Sequence, residues 1–399
     1  MSVVRLLTTR IATRSCLGDK WPGTWNGLLA GRQSFSDPRA HFPDWPPGPM
    51  VGAVRDWGSS TPRYVERLTT LTRSTLGELR PTLSHLRREN PGARCSVIIA
   101  SSHGDPAPIS ALAARRHDPL PENISRRIFC DNFHGLVADA IGFPVPVSVL
   151  HGACASGIIG SLSAWQAIRA SLTDIAIVVA ADCLSLLAYM GFQNVGAMSP
   201  ASCRPFDRGR DGMTAAEGAV GLIYAHRDFV AEGFETVGVL GGSYNCDGKG
   251  IVEPSSDGLT AAIRASLSLS ALSPEAIDFI YWHGTGTKRN DQTEAEAAGR
   301  IWHASPCPAG TASKGALGHT MGAASAFSIA EAAQSLVSGQ LPPVANTNDV
   351  EFEQMNLVTQ APLARNFSTG LCVAMGFGGI NSALVLSKTN DGQTQGERH

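Results

Sequence analysis

No two of the nine cysteines are spaced as CxxC, and their number is odd. That scatter argues against a disulfide framework or a zinc ribbon and favours a reducing compartment, so a cytoplasmic protein is expected. Charge of neither sign is in excess: 32 Lys and Arg against 34 Asp and Glu leave a formal −2. No global field then draws the chain to nucleic acid or to an anionic membrane surface. Apolar runs are several, yet none reaches the roughly 18 residues of a membrane span, and no short-period repeat is visible. What remains, 43% hydrophobic residues with 42 glycines and 24 prolines in 399, suits a globular chain with ample material for a core.

The first 18 residues carry Arg5, Arg10 and Arg14 and no acid. Transit peptides share that composition, but the alternation from Val3 to Leu7 also suits a first strand. Residues 36–62 are dense in Pro, Gly, Asp and Ser and predict a long surface excursion. Beyond a helix over 64–88, apolar strands alternate with helical stretches: CSVIIA, a helix over 124–141, VPVSVL, a helix over 155–171, DIAIVVAAD. VGLIYAH, TVGVLGG, DFIYWHG, LCVAMGFGG and NSALVLS supply further strands, with helices over 258–271, 292–303 and 320–338. Such alternation predicts an α/β protein. The polar residues 389–399 predict a frayed tail.

Within VSVLHGACASGIIG, Cys154 stands where a β-branched run gives way to a helical pattern. Unpaired N–H groups and the macrodipole at a helix N-terminus favour negative charge, so a thiol there is expected to ionise more readily and to act as a nucleophile. A buried structural cysteine is the alternative, and it is the reading kept for the other eight. Ile158, Leu162 and Trp165, at i, i+4 and i+7, anchor the helix in the core.

Two histidines follow apparent strands in Gly-rich settings, His283 in HGTGT with Thr285 and Thr287, and His319 in SKGALGH with Lys314 five residues before it. Small neighbours leave both imidazoles accessible. A fourth segment, GFGG, sets Phe377 between glycines, where a turn can present a backbone N–H to a ligand. Alone it is a weak signal.

Cys-Ala-Ser-Gly, HGTGT, SKGALGH and GFGG stand in the order and at the separations found in the β-ketoacyl synthases, the decarboxylating condensing enzymes of fatty-acid and polyketide synthesis. LGDKWPGTWNGLLAGRQS and CRPFDRGRDGMTAAEGAVGLIY also resemble that family. The resemblance implies a thiolase fold, two similar α/β halves in a layered αβαβα arrangement, here residues 1–245 and 246–388 with a tail at 389–399. It implies that Cys154 takes an acyl chain as a thioester from an acyl-carrier protein or coenzyme A. A malonyl thioester then loses CO₂, and its carbanion attacks the acyl group in a Claisen condensation. His283 and His319 would support decarboxylation, Lys314 would orient the His319 region, and the N–H groups of Cys154 and Phe377 would form the oxyanion hole, with Phe377 also a gate. Thr285, Thr287, Gly378, Asn381, Phe129 and Phe133 are the substrate-binding candidates. A dimer is implied, with itself or with a second ketosynthase-like chain.

The chemistry suits these residue types on its own terms. Thioester exchange needs a soft nucleophile and an anion-stabilising hole, and the enolate left by decarboxylation needs donors at its oxygen. No metal and no bound cofactor is required beyond phosphopantetheine-linked substrates. Departures from the family pattern are Ser328, where an acidic residue is usual nine positions after His319, with Glu331 a turn later, and bulky Phe129, Asn132, Phe133 and His134. These point to a specialised polyketide or polyene enzyme. A thiolase is disfavoured, since GFGGINSA offers Asn381 where a second cysteine is expected. A catalytically silent chain-length-factor subunit is the alternative of another class, because a fold does not fix an activity.

Overall fold

The computed structural model of the chain describes residues 3–55, 66–105 and 133–389. The first half runs β1 (Val4–Leu7), β2 (Ala12–Arg14), α1 (Trp21–Leu29), β3 (Val51–Gly52), α2 (Arg67–Glu89), β4 (Cys95–Ser101) and α3 (Phe133–Ile141). It continues through β5 (Val147–His151), α4 (Ser156–Arg169), β6 (Ile175–Asp182), α5 (Leu186–Asn194), β7 (Ala215–Ala216) and β8 (Gly218–His226). The second half begins ahead of residue 246, the boundary expected from the sequence, and comprises β9 (Thr236–Cys246), α6 (Ser256–Leu269), β10 (Phe279–Tyr281), α7 (Lys288–Ile301), β11 (Ala309–Thr311), α8 (Lys314–Leu317) and α9 (Ala324–Ser338). The short strands β12 (Gln340–Leu341) and β13 (Leu363–Ala364) precede β14 (Thr369–Gly376) and β15 (Ile380–Lys388).

The second half repeats the first. Its strands lie in the order β9-β15-β14-β10-β11, as the first half's lie β1-β8-β6-β4-β5. In each, the first two junctions are antiparallel and the last two parallel. β1 and β9 pair antiparallel where the halves meet. Helices correspond too, α4 following β5 as α9 follows β11.

Side-chain alternation along the strands divides the core into layers. On β6, whose eight residues are all buried, Ala176, Val178 and Ala180 face a central cluster with α4, α9 and the inner faces of both half-sheets. Ile175, Ile177, Val179 and Ala181 face the opposite way, onto α2 and α3. The second half-sheet covers its outer face with α6 and α7. Helix, sheet, helix, sheet, helix is therefore the observed order of layers, in agreement with the implied thiolase fold.

Both central helices are rich in Ala, Gly and Ser, and they touch. A Cβ on Gly157 of α4 would lie 2.4 Å from the Ala326 nitrogen of α9, and the Ile158 N–H donates to Ser325 Oγ at 3.2 Å.

The 36–62 segment, expected as a surface excursion, is in its described part something else. Phe42, Trp45, Val51 and Ala53 are buried in a small cluster with Leu184, Tyr189, Met198 and Ala215, and Phe42 stacks on Trp45 at 4.1 Å. Its prolines and glycines shape a path; its aromatic and branched residues fix it to the body beside β7.

Candidate active site

The chain leaves β5 at His151 and makes a tight turn before α4. Ala155 N–H donates to the Gly152 carbonyl at 3.0 Å and Ser156 N–H to that of Ala153 at 3.2 Å. Ala153 has φ +47°, a left-handed conformation uncommon for a residue with a Cβ. Ser156 Oγ accepts the Gly152 N–H at 2.9 Å and donates to the Ser101 carbonyl at 3.0 Å, tying the turn to the end of β4. Cys154 thus stands two residues before the first helical residue, Ser156, with its backbone against the end of β14: a Cβ on Gly376 would lie 3.2 Å from the Cys154 nitrogen. The N–H of Phe377 lies near enough to the Cys154 sulfur to favour its ionised form.

The expected easy ionisation of Cys154 is not what the structure supports. The residue is 8% exposed, and burial pushes its thiol up to about 12, against the lowering pull of Lys314 and of the Phe377 N–H, with Asp182 adding to the rise. The helix terminus is present, but it acts within a site whose desolvation outweighs it.

His283 follows β10, and its turn is held by a carboxylate of α7. Glu294 accepts the backbone N–H of His283 at 2.6 Å and of Gly284 at 2.7 Å, and Gly284 and Gly286 take positive φ there. Burial pushes Glu294 up to about 8, with Asp291 adding to the rise. His319 is presented by a second turn, in which Gly318 has φ +74° and the His319 N–H donates to the Thr214 carbonyl at 2.7 Å.

The two imidazoles are 3% exposed and meet edge to face with centroids 5.3 Å apart. Burial first, then the charge of Lys314, holds both well below the usual histidine range. They are neutral, and each has one nitrogen occupied. Met321 N–H donates to His319 Nδ1 at 3.1 Å, and the Lys314 amine lies 3.3 Å from His283 Nδ1. Accepting at Nδ1 leaves the His319 proton on Nε2 as a donor, and a charged Lys314 beside His283 Nδ1 favours the same tautomer there.

The resemblance implies that Lys314 orients the His319 region; its amine instead donates to the His283 carbonyl. Burial lowers its basicity while Glu294, Cys154, Cys203 and Glu331 raise it. At the position where the resemblance leads one to look for an acid, Ser328 Oγ only donates back to the Ala324 carbonyl at 3.3 Å. Glu331 is fully buried and neither of its oxygens makes a well-formed hydrogen bond. Burial pushes it up to about 8, against the pull of the Ser313 hydroxyl and the Lys314 charge.

Cys154, His283, His319, Thr285, Thr287, Phe377 and Asn381 line one cavity of about 90 Å³ that opens to solvent. The hydroxyls of Thr285 and Thr287 are 2.9 Å apart. Phe377 is 40% exposed at the mouth and meets Phe192 edge to face at 6.0 Å. Gly378 lies behind this wall, its N–H given to the Ile251 carbonyl at 2.8 Å. Phe133 lies elsewhere, buried in the outer cluster beneath α2, and His134 is exposed. Phe129 and Asn132 fall outside the described residues. Motif reading passed over Glu294, Met213, Phe192 and the Ile251–Val252 loop; only the i, i+3 pair Asp291 and Glu294, acidic yet on the buried face of α7, offered a signal.

Two family models match the chain, the β-ketoacyl synthase N-terminal domain over residues 9–227 and the β-ketoacyl synthase C-terminal domain over 237–348. The chain belongs to the β-ketoacyl synthase family. Among characterised relatives of this ketosynthase chain, nodulation protein E of Rhizobium meliloti is 28% identical over 258 residues, 63% of this chain and 64% of the relative. The actinorhodin polyketide putative β-ketoacyl synthase 1 of Streptomyces coelicolor is 31% identical over 275 residues, 65% of this chain and 58% of that protein. The match thus spans less than two thirds of either relative's length. The solved ishigamide ketosynthase/chain length factor superposes with a TM-score of 0.84 at 26% identity, covering 97% of this chain and 99% of that one.

Proposed function

We propose that this chain is a catalytically active β-ketoacyl synthase that joins a malonyl thioester to an acyl group held on Cys154, with loss of CO₂. The observation that carries the reading is the pair of neutral imidazoles whose free Nε2–H donors share a cavity with the Cys154 sulfur. A catalytically silent subunit has no use for that arrangement.

In acyl loading, the Cys154 sulfur bonds to the thioester carbon and the carrier's sulfur leaves. The thiol proton passes to the departing thiolate, so no net proton is exchanged. Oxygen charge develops where the Cys154 and Phe377 N–H groups can meet it, and each such donor contributes ~3 kcal/mol by the measure of other oxyanion holes. In the second half-reaction the malonyl carboxylate leaves as CO₂, and the electron pair moves onto the thioester oxygen, facing the two Nε2–H donors. Carbon 2 then bonds to the acyl carbon, and the Cys154 thiolate is expelled and takes up from solvent the one proton that the condensation consumes. A thiol with its pKa at about 12 is a poor leaving group, and would be a poorer one without the Phe377 N–H and the Lys314 charge that already pull against its burial.

Carrier-linked substrates are the expected donors, reaching Cys154 past the exposed Phe377, Ile251 and Val252 side chains that line the cavity. We further infer a specialised polyketide or polyene role, supported by Ser328 and by the relatives' names. A second ketosynthase-like chain is the expected partner: β5 ends the half-sheet among the described residues, and its residues are exposed or half-exposed, an edge that needs cover. Intact-mass measurement after exposure to a panel of acyl-carrier proteins tests the whole reading. An acyl adduct on Cys154, followed by CO₂ release on adding malonyl carrier, is the expected result; adduct on another cysteine, or none on any, refutes it.

A further inference from the structure

The internal repeat places a specific residue opposite the nucleophile. α4 begins at Ser156 and α9 at Ala324, so Ala153, Cys154 and Ala155 correspond to Met321, Gly322 and Ala323. The backbone bears this out, with φ +47° at Ala153 and +52° at Met321. Gly322 therefore holds in the second half the place that Cys154 holds in the first. The turns are also exchanged between halves. The cysteine turn rests on the end of β14, at Gly376, and the Gly322 turn rests on the end of β6, at Asp182, each the eighth and last residue of its strand.

At the first contact the strand ends in Gly376, which brings no side chain to the cysteine turn. At the second it ends in a carboxyl side chain, which meets the turn directly. Asp182 is fully buried; its Oδ2 accepts Gly322 N–H at 2.6 Å and Ser102 N–H at 2.9 Å, and its Oδ1 accepts Ser101 Oγ at 2.6 Å. A Cβ on Gly322 would lie 2.6 Å from Ser102 N and 2.7 Å from Asp182 Oδ2, so the turn closes on the carboxylate with no room to spare. Met321, one residue before Gly322, supplies the N–H that fixes the tautomer of His319. Ser101, through its carbonyl, receives Ser156 Oγ from the cysteine turn.

We propose that Asp182 is a positioning residue of the condensation site, which clamps the Met321–Gly322 turn to the end of β4 and so sets both the tautomer of His319 and its distance from Cys154. This rests on the reading of the chain as an active synthase. Asp182 touches no reacting atom. Its effect runs through two backbone N–H groups and one hydroxyl, and Ser101, which it holds, is the link to the turn that carries the nucleophile.

An amide of the same shape can keep these bonds. The side-chain carbonyl that Asp182→Asn introduces would accept from Gly322 and Ser102, and the new NH₂ would face Ser101 Oγ, which accepts Gly104 N–H at 3.0 Å and has a second lone pair free. Asp182→Ala keeps none of them. If that variant fails to fold, Gly322→Ala pries off the same turn while keeping the Asp182 carboxyl and its bond from Ser101 Oγ.

The experiment measures, for each variant, acylation of Cys154 by octanoyl-CoA, CO₂ release from malonyl-CoA, and carbethoxylation of His319 by diethyl pyrocarbonate, the last needing no turnover. Asp182→Ala and Gly322→Ala are expected to lower CO₂ release at least tenfold with acylation within threefold of the parent, and to raise His319 modification at least threefold. Asp182→Asn is expected to stay near the parent in all three. Equal loss of acylation and CO₂ release, Asp182→Asn as damaged as Asp182→Ala, or unchanged His319 modification in both Asp182→Ala and Gly322→Ala overturns the proposal. A parent chain that releases no CO₂ defeats the synthase reading instead, and the His319 modification still decides whether Asp182 holds that turn.

Discussion

The imidazole planes of His283 and His319 stand at 84°, with ring centroids 5.3 Å apart, so the edge of one ring meets the face of the other. Neither ring gains by carrying charge there, because each would face the other and both would face the buried Lys314 amine. The site is thus arranged to present two uncharged N–H donors, the need of an enolate oxygen, rather than a general base.

Removal of one donor at a time should separate the half-reactions. His319→Ala is expected to reduce malonyl CO₂ release by about 10² to 10³, the range for one lost oxyanion donor, while Cys154 acylation falls far less. Stopped-flow CO₂ detection beside intact-mass acylation kinetics makes the comparison. Full-rate CO₂ release in the His283→Ala/His319→Ala double variant would show that the rings do something else.

Alkylation of Cys154 should report a thiol held protonated by burial. With its pKa at about 12, the thiolate fraction grows about tenfold per pH unit through the whole neutral range. Iodoacetamide inactivation is expected to accelerate without a plateau from about pH 7 to about pH 9.5, and a plateau at about pH 8 would mean that the N–H groups around the sulfur outweigh its desolvation.

Lys314 should shape the acid limb of the pH profile. Its charge lowers both histidines, so Lys314→Met lets them protonate at higher pH and also leaves His283 Nδ1 without its neighbour. The variant's CO₂-release rate should fall off on the acid side at higher pH than the parent's. A pH profile of unchanged shape, merely scaled down, would assign Lys314 a packing role.

Legibility followed distance along the chain. Cys154, His283 and His319 are legible because each sits in a turn whose glycines and small residues are its own neighbours in sequence, and the layered fold because strand and helix periods alternate. What fails depends on groups far apart in sequence. The helix terminus beside Cys154 can be read; the second half of the chain that buries its sulfur cannot. Sequence proximity sets Lys314 near His319, five residues away, yet its amine reaches His283, 31 residues back. Neighbours in sequence likewise set Phe133 in the pocket, while its helix faces the outer layer. Asp182 closes a strand as an ordinary last residue until Gly322, 140 residues on, arrives at its oxygen.

Glu331 should make the fold weaken as pH rises. Its carboxyl is raised from 4.5 to about 8 by burial, so between those values the native chain holds a proton that the unfolded chain has lost. Stability from this group is fully present below pH 4.5 and lost as pH climbs through about 8, with a slope up to ~1.4 kcal/mol per pH unit. Asp291 and Glu294 are raised as well, to about 6 and about 8, and add to the same trend. Glu331→Gln removes one contributor. Urea unfolding at about pH 6 and about pH 8 should therefore show a smaller stability difference in the variant than in the parent, and an equal difference would place the Glu331 charge elsewhere.

Two glycine substitutions of identical chemistry should act with opposite sign. Gly77 lies within α2 and a Cβ there meets nothing within 4 Å, so Gly77→Ala is expected to stabilise by ~0.5–1 kcal/mol through the entropy the unfolded chain gives up. Gly157 lies in α4, where the same Cβ would come within 2.4 Å of the Ala326 nitrogen and 2.7 Å of its Cβ. Those atoms belong to another helix backbone and cannot swing aside. Gly157→Ala must part α4 from α9, at a cost of ~1–3 kcal/mol or more for overpacking. α4 begins two residues after Cys154 and α9 five after His319, so the same parting moves the nucleophile relative to the imidazole. Thermal unfolding should rise for Gly77→Ala and fall for Gly157→Ala, and condensation by the folded fraction should drop only in the latter. A Gly157→Ala protein with parental activity would mean that the two central helices tolerate separation without disturbing the turns they carry.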